Sequence, residues 1–508
     1  MLASASSVAL VGTEAYAVEV EVFVGPGVPR FAIVGLPTKS VREAEQRVRS
    51  ALESSGYTWP KVRIVANLAP GALRKEGTHF DLSIAAGILA AMKKMAADAL
   101  ADWMILGELA LDGSVRPVRG VLAAAMECRS LGRRGVICPA ANAPEAALVD
   151  GIEVVPVSNM KECIAFLGGG YTPQKVEHPA EPDQPRVEDM SEIRGHEYVK
   201  RAAEIAIAGG HNLLLVGPPG SGKTMLARRM PGIAPEMTLE ESLEVTRIYS
   251  VAGILAGRAA LVTARPFRSP HQGVSLAGLI GGGSGIARPG EVSLAHNGVL
   301  FLDELALYRR DVLEALRGPV EDGIVRIARS GGVISYPCRF SLIAAMNPCP
   351  CGHSGDDGML CRCSERELQL YRARLSGPLL DRFDIQIKML RTKSNELLGD
   401  GPGESSESIR ARVAAARALQ RDRYGSAVTT NASAPKSAVE RTVHLSAGAR
   451  EMLRTAIDTL SLSGRGLDRV RRIARTIADL QCSAEVAEDH FAEALLLRSD
   501  GRVLVDCM

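Results

Sequence analysis

A glycine-rich loop between an apolar strand and a helix constrains the fold of this chain more than any other feature. The apolar run 213–216 is followed directly by Gly217, Pro218, Pro219, Gly220, Ser221, Gly222, Lys223 and Thr224. A helix is predicted to start through 225–228. Glycines let backbone amides approach phosphate oxygens, and the positive end of a helix favours an anion. The order of strand, loop and helix therefore predicts a nucleotide-phosphate site on an open parallel α/β sheet.

Two further pairs of side chains suit a nucleotide and its metal ion. Lys223 is expected to reach the β- and γ-phosphates of ATP, and the Thr224 hydroxyl to hold Mg²⁺. The apolar run 299–302 ends in Asp303 and Glu304. Carboxylates at the end of a buried strand suit Mg²⁺ binding by Asp303 and polarisation of the attacking water by Glu304. Together these segments predict an ATP-hydrolysing site that needs Mg²⁺.

Segments rich in glycine and proline divide the 508 residues into several units. We predict an α+β unit at 1–170, a linker at 171–190, an α/β core at 191–398 and a helical unit at 405–500. A net charge of +2 excludes attraction of nucleic acid by the whole chain, so such a partner would need a local patch. Ten cysteines in a chain of this length are no disulfide framework. No apolar run is long enough to cross a membrane, and the first residues lack the basic segment and apolar stretch of a secretory signal. We therefore expect a cytoplasmic protein without a secretory signal or a membrane partner.

The motifs of the central unit resemble, in their order, the AAA+ core of magnesium chelatase and its relatives. Asn347 follows an apolar strand, Arg382 lies in a Leu-Leu-Asp-Arg-Phe-Asp segment, and Arg465 follows Leu-Ser-Gly. The resemblance implies that Asn347 helps to orient the water, that Arg382 is an arginine finger in trans, and that Arg465 is the sensor of a helical lid. For each arginine, a surface ion pair is the alternative. A finger in trans implies a homo-oligomer, expected to be a hexameric ring.

Two inserts point towards the substrate. The segment 265–272 and the glycine-rich segment 281–285 together resemble the helix-2 insert of the chelatase and replicative-helicase clade. Residues 324–336 contain two β-prone runs around a Ser-Gly-Gly turn and predict a hairpin. It resembles a hairpin that points into the pore of such rings, where Arg326 and Arg329 would face the phosphates of DNA. A solvated hairpin with incidental charge is the alternative.

Four cysteines fall within fifteen residues of the central unit. They form two Cys-x-Cys pairs, Cys349 with Cys351 and Cys361 with Cys363. This density favours a tetrahedral zinc site, in which His353 could replace one thiolate. Redox-active thiols and ordinary loop cysteines are the alternatives.

The N-terminal unit resembles the Lon protease domain, a fold of the ribosomal S5 domain 2 type, over 68–82 and 107–113. That family needs a serine nucleophile and a lysine base. The two positions fall at His79 and near Ala124. Because both catalytic groups are absent, we expect no nucleophilic peptide hydrolysis. We expect instead a degenerate domain used for assembly or substrate contact.

These features occur together in the YifB/ComM-like group of Mg-chelatase-like AAA+ ATPases, which the chain resembles over nearly its whole length. The group includes ring helicases that drive DNA branch migration, so the resemblance implies a motor acting on recombination intermediates during DNA uptake or repair. From 405 to 480 there are fourteen Lys or Arg against seven Asp or Glu, an excess that suits a DNA backbone or an ordinary solvated face. The alternatives are a chelatase-like motor, against which the Lon-like domain argues, and a protein-remodelling machine.

Overall fold

The computed structural model describes residues 1–174, 176, 188–255, 261–283, 287–329, 332–355, 359–392, 403–426, 429–460 and 462–506. Most of the predicted linker at 171–190 and the whole segment 393–402 lie outside these ranges. Among the described residues, no helix is long and apolar enough to cross a bilayer.

The N-terminal unit is built on a seven-stranded mixed sheet with the order β3-β4-β2-β1-β5-β8-β9. Its strands, with a separate two-stranded ribbon of β6 and β7, are β1 (Leu2–Val11), β2 (Glu14–Gly25), β3 (Arg30–Val34), β4 (Arg63–Ala69), β5 (Trp103–Ile105), β6 (Glu108–Leu109), β7 (Val115–Arg116), β8 (Gly135–Pro139) and β9 (Glu153–Val157). Buried and more exposed residues alternate along β2, and Val18, Val20 and Val22 are fully buried.

The helices of this unit are α1 (Lys39–Arg42), α2 (Ala44–Ser54), α3 (Asp81–Ala91), α4 (Val121–Ser130), α5 (Ala143–Ala146) and α6 (Met160–Leu167). All eleven residues of α3 are buried, which explains why its sequence is apolar on every face. His79 lies just before α3, where its Nε2 is 2.7 Å from the Val8 carbonyl oxygen. Burial lowers the pKa of His79 to about 4, and Ala124 is buried in α4. Neither position carries a serine nucleophile or a lysine base.

The central unit is an all-parallel five-stranded sheet with the order β11-β14-β17-β10-β18. Its strands are β10 (Leu213–Val216), β11 (Phe267–Arg268), β14 (Val299–Leu302), β17 (Ser341–Met346) and β18 (Ile385–Lys388). The helices around it are α7 (Glu197–Gly209), α8 (Lys223–Ile233), α9 (Leu239–Ala252), α10 (Leu276–Ile280), α11 (Glu291–Leu294), α12 (Arg310–Ala315), α13 (Arg317–Asp322), α14 (Glu365–Arg372) and α15 (Gly377–Leu380). In a parallel sheet the carboxyl ends of the strands share one edge, and ligands bind there.

One expectation about the insert is wrong in its first part. Residues 267–268 form β11, the edge strand of the central sheet, and therefore belong to the core. The residues that follow form α10 and the two-residue strands β12 (Gly281–Gly282) and β13 (Arg288–Pro289). β11 was not predicted because two residues are too few to give an alternating pattern. The arginines and prolines of 265–272 gave no strand signal either.

The predicted hairpin is present as β15 (Ile324–Arg329) paired with β16 (Gly332–Pro337). Arg326 is exposed and lies 3.5 Å from the Asp322 carboxylate. The side chain of Arg329 and the turn residues 330–331 lie outside the described part of the structure.

The C-terminal unit is helical, as predicted. Its helices are α16 (Ser406–Tyr424), α17 (Lys436–Thr442), α18 (Ala447–Leu460), α19 (Gly464–Leu480) and α20 (Glu488–Asp506). The unit is tied to the core through buried polar contacts: the His211 ring Nε2 lies 2.8 Å from the Thr476 hydroxyl, and Gln420 donates to the Ala208 carbonyl at 3.0 Å. These contacts join α16 and α19 of the helical unit to α7 and the residues that follow it.

Candidate nucleotide site

The phosphate-binding loop needs its glycines for separate physical reasons. Gly220 and Gly222 have φ of +77° and +91°, in the left-handed region that favours glycine. Gly217 has a different role, because a Cβ there would lie 2.1 Å from the Met389 carbonyl oxygen just after β18. Gly220 and Gly222 thus allow the loop to bend, and Gly217 allows it to pack closely against the end of β18.

Lys223 is the first residue of α8 and is largely buried. Its ammonium donates to the carbonyls of Gly217 at 2.7 Å and Pro218 at 2.9 Å, and lies 3.4 Å from the Asn347 side-chain oxygen. Burial lowers the pKa of Lys223 to about 8, although Asp303 and Glu304 oppose the shift. The charge is therefore held inside the loop, where a phosphate would be its natural counter-ion.

Thr224 and Asp303 come together although 79 residues separate them. The Thr224 hydroxyl donates to the Asp303 carboxylate at 2.7 Å. Asp303 also accepts the backbone N–H of Glu304 at 2.9 Å. Glu304 has φ of +52°, a conformation that side chains rarely adopt and that costs about 1–3 kcal/mol. This bend ends β14 and leaves the Glu304 carboxylate exposed at the site.

Asn347 follows β17, which lies between β10 and β14 in the sheet. Its side chain thus lies between Lys223, which comes after β10, and the carboxylates of Asp303 and Glu304, which come after β14. The Tyr371 hydroxyl donates to the Asn347 backbone carbonyl at 2.9 Å. Sequence reasoning missed this tyrosine, because nothing in the local pattern of α14 links it to the site.

The residues at this edge of the sheet fit ATP with Mg²⁺. The glycine-rich loop and the start of α8 offer backbone N–H groups, and Lys223 offers a cation. Thr224 and Asp303 present a hydroxyl and a carboxylate oxygen within 2.7 Å, and such hard oxygen donors suit Mg²⁺. When bound there, Mg²⁺ would neutralise charge on the β- and γ-phosphates.

Arg382 lies at the amino ends of the strands, opposite the carboxyl ends that carry the candidate nucleotide site. It precedes β18, and its carbonyl accepts the side-chain N–H of Asn212, the residue before β10. The guanidinium is about 8% exposed and pairs with Glu321 at 2.5 Å. Arg382 therefore cannot reach the phosphate-binding loop of its own chain.

Arg382 lines a cavity of about 580 Å³ between the core and the helical unit. Six arginines and four acidic residues line it: Arg265, Arg339, Arg382, Arg417, Arg469 and Arg472, with Glu241, Glu321, Asp322 and Asp384. In the described part of the chain, Nε of Arg382 and Nε of Arg417 are buried without a hydrogen-bond partner. From the sequence only Arg382 was singled out for a role. The other five arginines come from distant segments, so the sequence did not show that all six line one cavity.

Arg465 is exposed in the first turn of α19, a helix capped by Ser463. It does not line the arginine-rich cavity. The structure of one chain thus brings Lys223, Thr224, Asp303, Glu304 and Asn347 together and places Arg382 elsewhere.

The four cysteines of the two Cys-x-Cys pairs meet at one point. Cys349 Sγ lies 3.4 Å from Cys351 Sγ and 3.7 Å from Cys361 Sγ, and Cys351 and Cys361 are 3.6 Å apart. With Cys363, all four sulfur atoms lie within 4.8 Å of one another. His353 is not a member of this group. None of these cysteines forms a disulfide.

The basic excess of the helical unit is mostly used inside the protein. Arginines bind carboxylates or carbonyls of the fold at Arg410, Arg412, Arg417, Arg423, Arg469, Arg471, Arg472 and Arg475. Arg423 and Arg475, for example, share the buried carboxylate of Asp479. Much of the basic excess is therefore engaged in contacts within the fold.

Three family descriptions match successive parts of the chain. "Subunit ChlI of Mg-chelatase" matches residues 20–142, "Magnesium chelatase, subunit ChlI" matches 189–397, and "Magnesium chelatase, subunit ChlI C-terminal" matches 403–498. The fold and the matches define a Mg-chelatase-like protein with an AAA+ type core.

Full-length relatives narrow this class. Protein Rv2897c of Mycobacterium tuberculosis is 43% identical over 98% of this chain and 99% of its own length. Competence protein ComM of Haemophilus influenzae is 41% identical over 99% and 98%, and YifB of Escherichia coli is 40% identical over 98% and 97%. The chain belongs to the YifB/ComM-like group of the Mg-chelatase-like family. A partial match, 26% identical over 38% of this chain and 25% of the other, is to a probable DNA helicase MCM9 of Arabidopsis thaliana.

Proposed function

We propose that the protein hydrolyses ATP with Mg²⁺. The observation that carries the proposal is the meeting of Lys223, Thr224, Asp303, Glu304 and Asn347 at the carboxyl edge of one parallel sheet. In this mechanism Lys223 binds the phosphates, Thr224 and Asp303 hold the metal ion, and the Glu304 carboxylate takes a proton from the attacking water. Asn347 orients that water from the strand between them.

The site is shared between subunits of a ring, in our proposal a homohexamer. Arg382 supports this, because it is remote from its own nucleotide site and its buried Nε has no hydrogen-bond partner among the described residues. A neighbouring subunit that docked its carboxyl edge against this face would bring its γ-phosphate to Arg382 as an arginine finger. The exposed Arg465 would act as the lid sensor in the same interface.

The polymer moved by the ring is proposed to be DNA, and the activity branch migration or unwinding of recombination intermediates during DNA uptake or repair in the cytoplasm. The exposed Arg326 on the β15–β16 hairpin supports this, as do the names of the ComM and MCM9 relatives. The helical unit contributes less than its composition suggests, because most of its arginines are engaged within the fold.

An ATPase assay with a panel of DNA structures tests the proposal. We expect single-stranded or forked DNA to stimulate hydrolysis, and a gel shift at about 50 mM salt to weaken steeply as salt rises. Arg326→Glu should lower both, whereas the matched control Arg450→Glu, an exposed lid arginine, should not. No DNA binding at low salt, or equal losses in both variants, would contradict the proposed role of DNA.

The alternative function is a chelatase-like motor for metal insertion, or for protein remodelling. It is favoured by the description that matches residues 20–142, a chelatase subunit, so the N-terminal domain no longer argues against it. Stimulation of ATP hydrolysis by a porphyrin-loaded partner protein but not by DNA would favour this alternative.

We also infer that Cys349, Cys351, Cys361 and Cys363 hold Zn²⁺. Zinc–sulfur bonds of about 2.3 Å place tetrahedral sulfur ligands about 3.8 Å apart, close to the separations of 3.4–3.7 Å between three of these atoms. Backbone N–H groups of Cys351 and Ser354 point at the sulfurs of Cys363 and Cys349 at 3.4 and 3.3 Å, as donors to metal thiolates do.

A further inference from the structure

The cysteine cluster closes a loop whose two ends both touch the nucleotide site. The loop leaves β17 directly after Asn347, and it returns through Cys363 into α14. The thiols thus lie between the residue proposed to orient the water and the helix that supports that residue. This placement raises the question of what the cluster does for the site.

The first contact joins the loop to the phosphate-binding loop. Gly352 has φ of +85°, and a Cβ on it would lie 2.6 Å from Cδ and 2.8 Å from Cγ of Pro219. The backbone at Gly352 is therefore packed directly on the proline ring, with no room for a side chain. Gly352 is buried although its neighbours Pro350 and Gly355 are exposed.

The second contact comes from α14. Tyr371 donates its hydroxyl to the Asn347 carbonyl at 2.9 Å. Just beyond the helix, Arg374 reaches the Ala306 carbonyl at 3.4 Å, two residues past Glu304. Helix α14 and the residues just after it therefore contact both Asn347, which follows β17, and the segment that follows β14.

Little apolar burial holds these elements in place. Helix α14 has no buried residue. Among the described loop residues from 349 to 363, only Cys349 and Gly352 are buried, and Leu360 is 90% exposed. Burial of apolar area is the main source of local stability, so this loop needs another constraint. A metal ion that joins four thiolates removes the chain entropy that the open loop would otherwise have.

We propose that Zn²⁺ on the four cysteines holds Gly352 against Pro219 and keeps Asn347 in line with Lys223, so that zinc occupancy sets the rate of nucleotide hydrolysis. The inference rests on the proposed ATPase function. The cysteines act as positioning residues, since none of them is placed to touch the nucleotide.

The test uses the full chain and three readouts: zinc content by atomic emission, affinity for a fluorescent ATP analogue, and the ATPase rate. We expect about one zinc per chain in the parent protein. Cys361→Ser with Cys363→Ser should lose the zinc and about tenfold in kcat, because a displaced positioning group costs rate before it costs binding. The matched control is Cys482→Ser, an exposed cysteine outside the cluster, which should change nothing.

A second variant keeps the proposal testable if loss of zinc unfolds the chain. Gly352→Ala retains all four ligands, so it should keep its zinc and the tetrahedral thiolate spectrum of the Co²⁺-substituted protein while its kcat falls. Absence of zinc from the parent, or full hydrolysis by either variant, would overturn the inference and leave the ATPase proposal standing. Failure of the zinc-loaded parent to bind the ATP analogue would instead overturn the proposed function itself.

Discussion

Replacing Thr224 by valine should separate metal binding from the shape of the site. Valine keeps the branched form of threonine but lacks the hydroxyl that donates to Asp303 at 2.7 Å. A hydrogen bond to a charged group contributes about 1.5–3 kcal/mol, and a lost oxygen ligand for Mg²⁺ should cost at least that much. At 1.4 kcal/mol per factor of ten, we expect the Mg²⁺ concentration for half-maximal hydrolysis to rise about 10- to 150-fold.

The assay is a Mg²⁺ titration of ATPase activity at saturating ATP, with Thr224→Ser as the matched control. Serine retains the hydroxyl and should shift the midpoint only a few-fold. Because Thr224 is only half-buried, neither variant should greatly change the melting temperature. An unchanged Mg²⁺ midpoint in Thr224→Val would refute the assignment of Thr224 and Asp303 as the magnesium ligands.

Three further predictions follow from the geometry of the site. Glu304→Gln should bind ATP normally but hydrolyse it at least about a hundredfold more slowly, since the amide cannot accept the water's proton; normal turnover in a rapid-quench assay would mean that the base lies elsewhere. Arg382→Ala should fold, because its partner Glu321 is half exposed, and should lose hydrolysis but not ATP binding. Mixing it with Lys223→Ala should restore part of the activity if the finger acts in trans, and no recovery in mixed rings would argue against a shared site. Since the pKa of Lys223 is about 8, ATP affinity measured by fluorescence should be level below that pH and fall above it, as the ammonium loses the charge that pairs with phosphate; an affinity independent of pH would contradict this.

Local sequence was a good guide wherever the structure is built from neighbouring residues. The strand, loop and helix at 213–233 could be predicted because an apolar run, glycines and a helix start follow one another directly. The hairpin formed by β15 and β16 could be predicted from two β-prone runs around a glycine turn. The cysteine pairs could be linked for the same reason, since fifteen residues contain all four. By contrast, β11 was hidden, because a two-residue strand has no period to detect.

The tertiary structure decided how distant segments share space. It placed Arg382 at the edge of the sheet away from Lys223, and it engaged most arginines of the helical unit within the fold, where composition alone left them free to bind DNA. It also pressed Gly352 onto Pro219, a contact between residues 133 positions apart. Sequence patterns report the spacing of residues along one strand or helix, whereas these contacts depend on the order in which strands join the sheet. The phosphate-binding loop was therefore determined by the sequence, and the partners that surround it were determined by the packing of the whole domain.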